Sequence, residues 1–375
     1  MSWKIPLFKM YWDDEDVAQV NAAIKTGMNW ALGPQIPAFE KKLAEYIGTE
    51  YCLTFNSGTS ALHAALLSYG IGAGDEVIVP SFTFIATANA PKFVGAIPVF
   101  ADIEDTTFSL DPADVEARIT PRTKAIIPIH YGGFPCRIRE LRKIADEHGL
   151  ILIEDAAEAM GAKTGDRNVG TIGDSSILSF CQNKIITTGE GGAVVTDNRD
   201  MYEKMKLIRS HGRPDTLDYF STTEVLDYLS LGYNFRISTM TAALGIAQLD
   251  KIEHLIGIRQ SDAAYYRAGL ESLPGVIVPA GLADSVPVYQ LFSIRVKRRD
   301  ALMKYLEGKG IMTKIYFPPV HKTHYYQNVL GYTCPLPVTD TVSGDIVSLP
   351  FFPGITRDEI DTVIQAIREF GAKSQ

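Results

Sequence analysis

EVIVP (residues 76–80), AIPVFAD (96–102), KAIIPIHY (124–131) and LILIED (150–155) are four short runs that alternate with helical patterns. The runs are apolar throughout instead of alternating in polarity, which is typical of parallel strands covered by helices on both faces. Two of the helical patterns fall at 111–118 and 137–148, and Gly149 follows the second as a stop signal. This part of the chain therefore predicts a doubly wound α/β fold.

The residues that follow extend the same unit. Strand-like runs at 176–180 and 193–196 flank a loop that contains Lys184, and a helical pattern follows at 200–208. Residues 211–238 have no clear period and predict a long loop, and loops of this length are often functional or interfacial. The large domain is therefore expected to continue past residue 200.

A second, smaller α+β unit is predicted after a long helix over 239–270. Its expected elements are strands at 290–296 and 312–317 and helices at 299–309 and 357–370. A chain of 375 residues is long enough for two domains. We expect an N-terminal arm over 1–30, a large domain over 31–250 and a small C-terminal domain over 251–375.

Composition excludes several classes of function. With 46% hydrophobic and 21% charged residues, the chain is typical of a globular protein. The formal net charge of −8 includes no basic tract, so we expect no nucleic-acid partner. The absence of a long apolar run and of a secretion signal predicts no membrane partner and a cytoplasmic location. The four cysteines lack paired spacing, so we expect neither a disulfide framework nor a metal site.

Two residues at predicted strand ends are candidates for catalysis, because doubly wound sheets bind ligands at the carboxyl ends of their strands. Asp155 closes the run LILIED, and Lys184 follows the strand at 176–180. A lysine held there beside a cofactor can lose its proton and act as a nucleophile. Each residue alone also fits an ordinary structural role, Lys184 as a surface lysine and Asp155 as a helix N-cap.

A third candidate is NSGTSAL at 56–62, which opens an apolar-periodic helix. Small hydroxylated residues there cap the helix, and the same free amides bind phosphate well. Capping alone would explain the residues. Taken together, an anion site, a strand-end aspartate and a strand-end lysine match the needs of pyridoxal 5'-phosphate (PLP), because the amine forms an imine with the aldehyde and the acid keeps the pyridine nitrogen protonated.

Five ordered segments carry a resemblance to one family. They are GPQIPAFEKKLAEYIGTEYCLTFNSGTSALHAAL (33–66), GDEVIVPSFTFIATANA (74–90), EDAAEAMGA (154–162), SFCQNKIITTGEGGAVVTDN (179–198) and GYNFRISTMTAALGIAQL (232–249). Nearly the whole chain resembles the DegT/DnrJ/EryC1/StrS family of sugar aminotransferases, a branch of the fold-type-I PLP enzymes. The resemblance implies a mainly parallel mixed sheet of the seven-stranded type with helices on both faces, and a smaller α+β C-terminal domain.

The resemblance also implies cofactor contacts. They fall on Gly58, Thr59, Ser60, Phe84, Asp155, Glu158, Ser179, Lys184 and Asn234. Lys184 would tether the cofactor and then move protons, and Asp155 would pair with the ring nitrogen. Phe84 would stack on the ring, although its local pattern also fits a core aromatic. Asn234 would reach the phosphate from a neighbouring subunit, which implies a homodimer with shared active sites.

The chain departs from the common family pattern at three positions. Glu158 replaces a glutamine that many members place beside the ring hydroxyl, and a carboxylate there repels a phenolate oxygen unless a proton is shared. Cys181 stands where many members have histidine, and Asn183 precedes the lysine. The run CQNKIITT (181–188) resembles enzymes that aminate C4 of a nucleotide-linked 4-keto-6-deoxyhexose, including perosamine synthases and the UDP-linked enzymes of the bacillosamine pathway. Substrate contacts are implied for Trp30, Asn183 and His321, although His321 fits an ordinary loop histidine equally well.

The implied function is transfer of an amino group from L-glutamate to a keto-deoxysugar linked to UDP or GDP. Two alternatives stay open from the sequence. One is a regulator that binds PLP or a sugar nucleotide without turnover, although neither a helix-turn-helix nor a basic face is visible. The other is a PLP-dependent sugar dehydratase, which the presence of Lys184 disfavours because related dehydratases carry histidine there.

Overall fold

The computed structural model describes residues 3–214, 223, 225 and 227–372. Its helices are α1 Asp14–Lys25, α2 Gln35–Ile47, α3 Gly58–Ser68, α4 Ile85–Phe93, α5 Pro112–Ala117, α6 Ile138–His148, α7 Arg199–Arg209, α8 Thr239–Asp250, α9 Ile252–Leu270, α10 Arg299–Gly308, α11 Pro337–Asp345 and α12 Arg357–Ala372. Its strands are β1 Tyr51–Phe55, β2 Glu76–Pro80, β3 Ile97–Ala101, β4 Thr123–Ile126, β5 Ile151–Asp155, β6 Lys163–Thr164, β7 Arg167–Asn168, β8 Ser175–Ser179, β9 Gly192–Thr196, β10 Val276–Ile277, β11 Ser285–Val286, β12 Phe292–Val296 and β13 Ile346–Leu349.

The main sheet has seven strands within the described residues, in the order β1-β9-β8-β5-β4-β2-β3. The strands from β8 to β3 pair in parallel, whereas β9 pairs antiparallel with both β8 and β1. Successive residues of β2 enter different cores: Val77 and Val79 pack with α3 and α4, and Ile78 packs with α6. Both faces of the sheet are therefore covered, and the predicted mainly parallel, mixed α/β sheet is confirmed.

The smaller unit is built on a second sheet, β10-β12-β13, whose strands pair antiparallel. Its core joins side chains of α9, α10 and α12, and Ile5 from the N-terminal segment is buried in it. We propose the domain division at 250/251, with the first thirty residues as an arm. None of the described helices is long and apolar enough to cross a membrane.

Three predicted elements differ from the structure. The helix expected over 239–270 is broken at Lys251, whose backbone leaves helical values and whose ammonium binds Asp13 at 2.5 Å and Asp16 at 3.0 Å at the start of α1. The strand expected over 124–131 ends at Ile126, because Pro128 lacks the N–H that a ladder needs.

The strand expected over 312–317 was also wrong. In the described chain this segment forms no ladder: Lys314 makes one isolated bridge to Ser348, and the neighbouring Ile311 makes another to Ile5. Because this part of the chain pairs with two different elements through one residue each, it forms no continuous strand. Most of the predicted loop over 211–238 is irregular where it is described, and residues 215–222, 224 and 226 lie outside the described residues.

Candidate active site

The candidate site lies where β5 and β8 end side by side. Asp155 is the last residue of β5, and it stands opposite Ile177 of β8 in parallel register. Lys184 follows β8 in a turn closed by its own amide, which donates to the Cys181 carbonyl at 3.0 Å. A cavity of about 500 Å³ opens at this edge, and both Asp155 and Lys184 line it. The expectation that these strand ends share one crevice is met.

Asp155 is fixed and buried at the cavity wall, with 4% of its surface exposed. The Thr87 hydroxyl donates to Oδ2 at 2.7 Å, and the Ala157 amide donates to Oδ1 at 3.2 Å. Burial raises the pKa of Asp155 above its usual value, although the Thr87 and Ala157 hydrogen bonds lower it in part. A cationic N–H group in the cavity would therefore gain a pre-positioned acceptor.

The Lys184 amine faces a second carboxylate. Its Nζ lies 3.3 Å from Glu158 Oε1, and the two side chains are 13% and 2% exposed. The other oxygen, Glu158 Oε2, accepts the Gly132 amide at 2.9 Å. Glu158 is thus held by the backbone on one side and bonds the amine on the other.

The start of α3 forms another wall. Ser57 is its N-cap, and the Ser57 hydroxyl accepts the Ser60 amide at 3.0 Å. The amides of Gly58 and Thr59 belong to the first turn, where helices leave N–H groups without intrahelical partners. A Cβ on Gly58 would lie 3.3 Å from Ser179 Cβ, so glycine lets the helix start approach the end of β8. The result is a helix terminus whose free amides suit an anion, beside a serine hydroxyl.

This set of residues fits PLP on the chemistry of its donors. A helix start with a close Gly58–Ser179 approach suits a phosphate, a fixed buried carboxylate at Asp155 suits a protonated ring nitrogen, and the Lys184 amine suits an aldehyde. All three line one cavity. The described residues therefore supply each group that the cofactor needs.

The structure brings most of the predicted site residues together. The cavity is lined by Gly58, Thr59, Phe84, Asp155, Glu158, Ser179, Asn183 and Lys184. Phe84 is 54% exposed and its ring centroid lies 5.6 Å from that of Phe317, so it is not a core aromatic.

Four predicted residues lie elsewhere in the described chain. The Ser60 hydroxyl turns back to Asn56 Oδ1 at 2.6 Å. His321 is 4% exposed, with Nδ1 2.6 Å from the Ser81 hydroxyl. Trp30 and Asn234 are exposed away from the cavity lining. Neither Trp30 nor Asn234 lines the cavity within the described chain.

Sequence reasoning missed several lining residues. They are Thr87, Gln182, Glu190, Lys314, Tyr316 and Phe317. Ser57, from the candidate segment 56–62, and Cys181, from the lysine run, also line the cavity. Thr87 had a usable signal, since it lies one helical turn after Thr83, and the two hydroxyls are 2.7 Å apart. Lys314 had none, because its segment was expected to be a strand of the small domain and reaches the cavity only through tertiary packing.

Comparison with known proteins finds relatives along the whole chain. The model of the DegT/DnrJ/EryC1/StrS aminotransferase family matches residues 11–368. The GDP-perosamine synthase of Caulobacter vibrioides is 38% identical over 343 residues, 90% of this chain and 90% of that protein. DesV of S. venezuelae, solved in complex with a ketimine intermediate, has a TM-score of 0.90 at 35% identity and covers 98% of each chain. The PLP form of the putative sugar aminotransferase Spr1654 from Streptococcus pneumoniae has a TM-score of 0.92 at 25% identity, with 99% of each chain covered.

Proposed function

We propose, for a chain that belongs to the DegT/DnrJ/EryC1/StrS aminotransferase family, that its cavity transfers an amino group from L-glutamate to C4 of a nucleotide-linked 4-keto-6-deoxyhexose. The PLP cofactor and the sugar aminotransferase class predicted from the sequence are confirmed by the comparisons. The donor, the nucleotide and the reacting carbon are our proposal. The observation that carries the transamination is the convergence of Lys184, Asp155 and the start of α3 on one cavity.

PLP supplies an electron sink that makes the carbon next to the transferred nitrogen acidic. Lys184 would hold the cofactor and then, once released, carry a proton at Nζ between the substrate carbon and the cofactor. Asp155 would accept the ring N–H, with Thr87 and Ala157 keeping its two oxygens in place. Gly58, Thr59 and Ser179 would bind the phosphate through amides and a hydroxyl.

Glu158 has two tasks in this proposal. It bonds the Lys184 amine at 3.3 Å in the cofactor-free protein, and from the cavity wall it would hold the ring hydroxyl of bound PLP. A carboxylate beside a phenolate oxygen would repel it unless the two shared a proton. The Gly132 amide fixes Glu158 for this contact at 2.9 Å.

The sugar acceptor is proposed from the relatives and from the position of Asn183. The relative named GDP-perosamine synthase supports a GDP-linked sugar, with the UDP-linked sugar as the competing outcome. Asn183 lines the cavity beside Lys184, where it can contact the sugar. His321 is not among the proposed sugar contacts, because its ring is buried and bonds the Ser81 hydroxyl.

A homodimer is part of the same proposal. Several large apolar side chains near the N-terminal arm are exposed: Trp12 at 67%, Met28 at 70% and Trp30 at 48%. These side chains are therefore our candidates for a subunit contact. Asn234 is exposed as well, and its carbonyl, not its side chain, accepts the Asn56 side-chain amide at 3.4 Å. We propose that Asn234 and Trp30 complete the site of a partner subunit.

The test is to mix the PLP-loaded protein with L-glutamate and follow the visible absorbance of the bound cofactor. We expect the visible band to disappear and one molecule of 2-oxoglutarate to form for each molecule of bound PLP. Addition of GDP- or UDP-linked 4-keto-6-deoxyhexose should then restore the band and yield an amino sugar whose mass and NMR spectrum identify C4. An unchanged spectrum with glutamate would refute transamination, and amination at another carbon would refute the C4 assignment.

A further inference from the structure

Gln290 ties the lysine loop to a distant part of the chain. Its side chain is 3% exposed, and its Nε2 donates to the carbonyl of Asn183, the residue directly before Lys184. The two residues are 107 positions apart. The backbone that carries Lys184 is therefore held from outside its own loop.

The segment that carries Gln290 is in turn attached to the residues that hold Glu158. The Val288 amide donates to the Gly133 carbonyl at 3.0 Å, and the Leu291 amide donates to the Gly132 carbonyl at 3.2 Å. The Gly132 amide donates to Glu158 at 2.9 Å. One short segment thus supports both members of the Lys184–Glu158 pair.

This support is closely packed. A Cβ on Gly133 would lie 2.7 Å from the backbone nitrogen of Gln290, so only glycine permits this approach of the two backbones. Below the segment, the buried Arg259 guanidinium donates through Nη1 to the carbonyls of Tyr289 at 3.2 Å and Gln290 at 3.4 Å. Tyr289 has a φ of 52°, a left-handed value that an aromatic residue adopts only under such constraint.

We propose that Gln290 is a positioning residue that sets the Lys184 amine against Glu158 through the Asn183 carbonyl. The hydrogen bonds form a closed circuit: Lys184 to Glu158, Glu158 to Gly132, Gly132 to the 288–291 segment, and Gln290 back to Asn183. A closed circuit fixes the distance between amine and carboxylate more tightly than either bond alone, because each bond limits the freedom of the others. The inference rests on the proposed function, in which Lys184 binds PLP.

The experiment replaces the amide donor by an apolar group of similar length, Gln290→Met. We expect the dissociation constant of PLP from the apoprotein to rise about tenfold, because a displaced lysine forms its covalent bond less favourably. Amide hydrogen exchange in residues 181–188 of the apoprotein should become faster, which is a readout independent of activity.

Gln260→Leu is the matched control. Gln260 Nε2 donates to the Pro287 carbonyl at 3.0 Å, so this variant also removes a glutamine-to-carbonyl bond near the same segment but does not touch the lysine loop. We expect its PLP affinity and its exchange in 181–188 to match the wild type. Thermal unfolding checks that both variants fold, and if Gln290→Met does not fold, Gln290→Asn removes the reach to Asn183 with a smaller change.

A double-mutant cycle separates positioning from general loosening. In a Glu158→Gln background the effect of Gln290→Met on PLP affinity should shrink to about threefold or less, because the carboxylate that Lys184 is set against is gone. Additive effects, or a Gln290→Met protein with wild-type affinity and exchange, would overturn the inference. If instead the wild type fails to bind PLP at Lys184, the proposed function itself fails, and the two failures are distinguishable.

Discussion

The Lys184 amine lies 3.3 Å from Glu158 Oε1, although the two residues come from different strand ends and are 26 positions apart. Asp155, at the end of the strand that precedes Glu158, is held by a threonine hydroxyl and a backbone amide. The cavity therefore presents one amine to two buried carboxylates in different hydrogen-bonding environments. Glu158 is therefore suited to bind the lysine amine, and Asp155 is suited to accept a hydrogen bond from a ring nitrogen.

Replacement of Lys184 tests the covalent link. Lys184→Arg keeps a cation opposite Glu158 but cannot form the bond to an aldehyde. We expect transamination to fall by about 10⁴-fold while the protein stays folded. Borohydride treatment of the PLP-loaded wild type followed by peptide mapping should label the peptide that contains Lys184 and leave Lys184→Arg unlabelled. Label on another lysine would contradict the assignment.

Asp155→Asn separates the stability of the protein from its activity. The folded-state pKa of Asp155 is raised above its usual 3.8 by burial. The neutral carboxyl is therefore tolerated in the folded protein at pH values below its usual pKa of 3.8, and this contribution to stability is lost as the pH rises through the folded-state pKa. At neutral pH the buried carboxylate thus lowers the stability of the cofactor-free protein. The neutral amide should leave the Tm at pH 7 unchanged or higher, while kcat falls about 100-fold or more.

The comparison of Tm at pH 7 and at pH 4 checks the sign. The difference in Tm between Asp155→Asn and the wild type should shrink as the pH falls, because the wild-type carboxyl becomes neutral as well. A Tm for Asp155→Asn well below the wild-type value at pH 7 would show that the charged form stabilises the apoprotein, contrary to the effect of burial.

Glu158→Gln and Glu158→Leu distinguish the two bonds of this side chain. The amide oxygen of glutamine can still accept the Gly132 amide, so we expect Glu158→Gln to unfold at nearly the wild-type denaturant concentration. Leucine leaves the buried Gly132 N–H without its acceptor, and the free energy of unfolding should drop by about 1–3 kcal/mol. Denaturant unfolding of the apoproteins measures both. Equal loss in the two variants would mean that the charge, and not the bond to Gly132, matters for folding.

Gly133→Ala tests the close approach beneath the site. Gly133 has a φ of 90°, and an added Cβ would lie 2.7 Å from the backbone nitrogen of Gln290. We expect a loss of about 3 kcal/mol from left-handed strain and overlap together. Gly149→Ala is the control, because Gly149 has a φ of 62° but no atom within 4 Å of the added Cβ, and it should lose about 1 kcal/mol. Similar losses in both variants would refute the close contact.

Several features of the site could be predicted from short sequence patterns. The apolar run that ends at Asp155 and the hydroxylated start of α3 were recognisable, because strand burial and helix capping depend on residues a few positions apart. The break at Lys251 was missed because it is stabilised by Asp13 and Asp16, more than 200 positions away. The turn of Ser60 away from the cavity was missed because two acceptors, Asn56 and Ser57, compete for its hydroxyl.

By itself, the sequence determined the mainly parallel α/β character of the large domain and put Asp155 and Lys184 at strand ends, since apolar periodicity and turn residues act locally. Only the tertiary structure decided which groups face the lysine. The bond between Glu158 and Lys184, the Gly132 amide that holds Glu158, and the contact of Gln290 with Asn183 all join segments brought together by sheet packing. Such contacts depend on the register of strands and on glycines that allow close approach, and neither leaves a periodic signal in the chain.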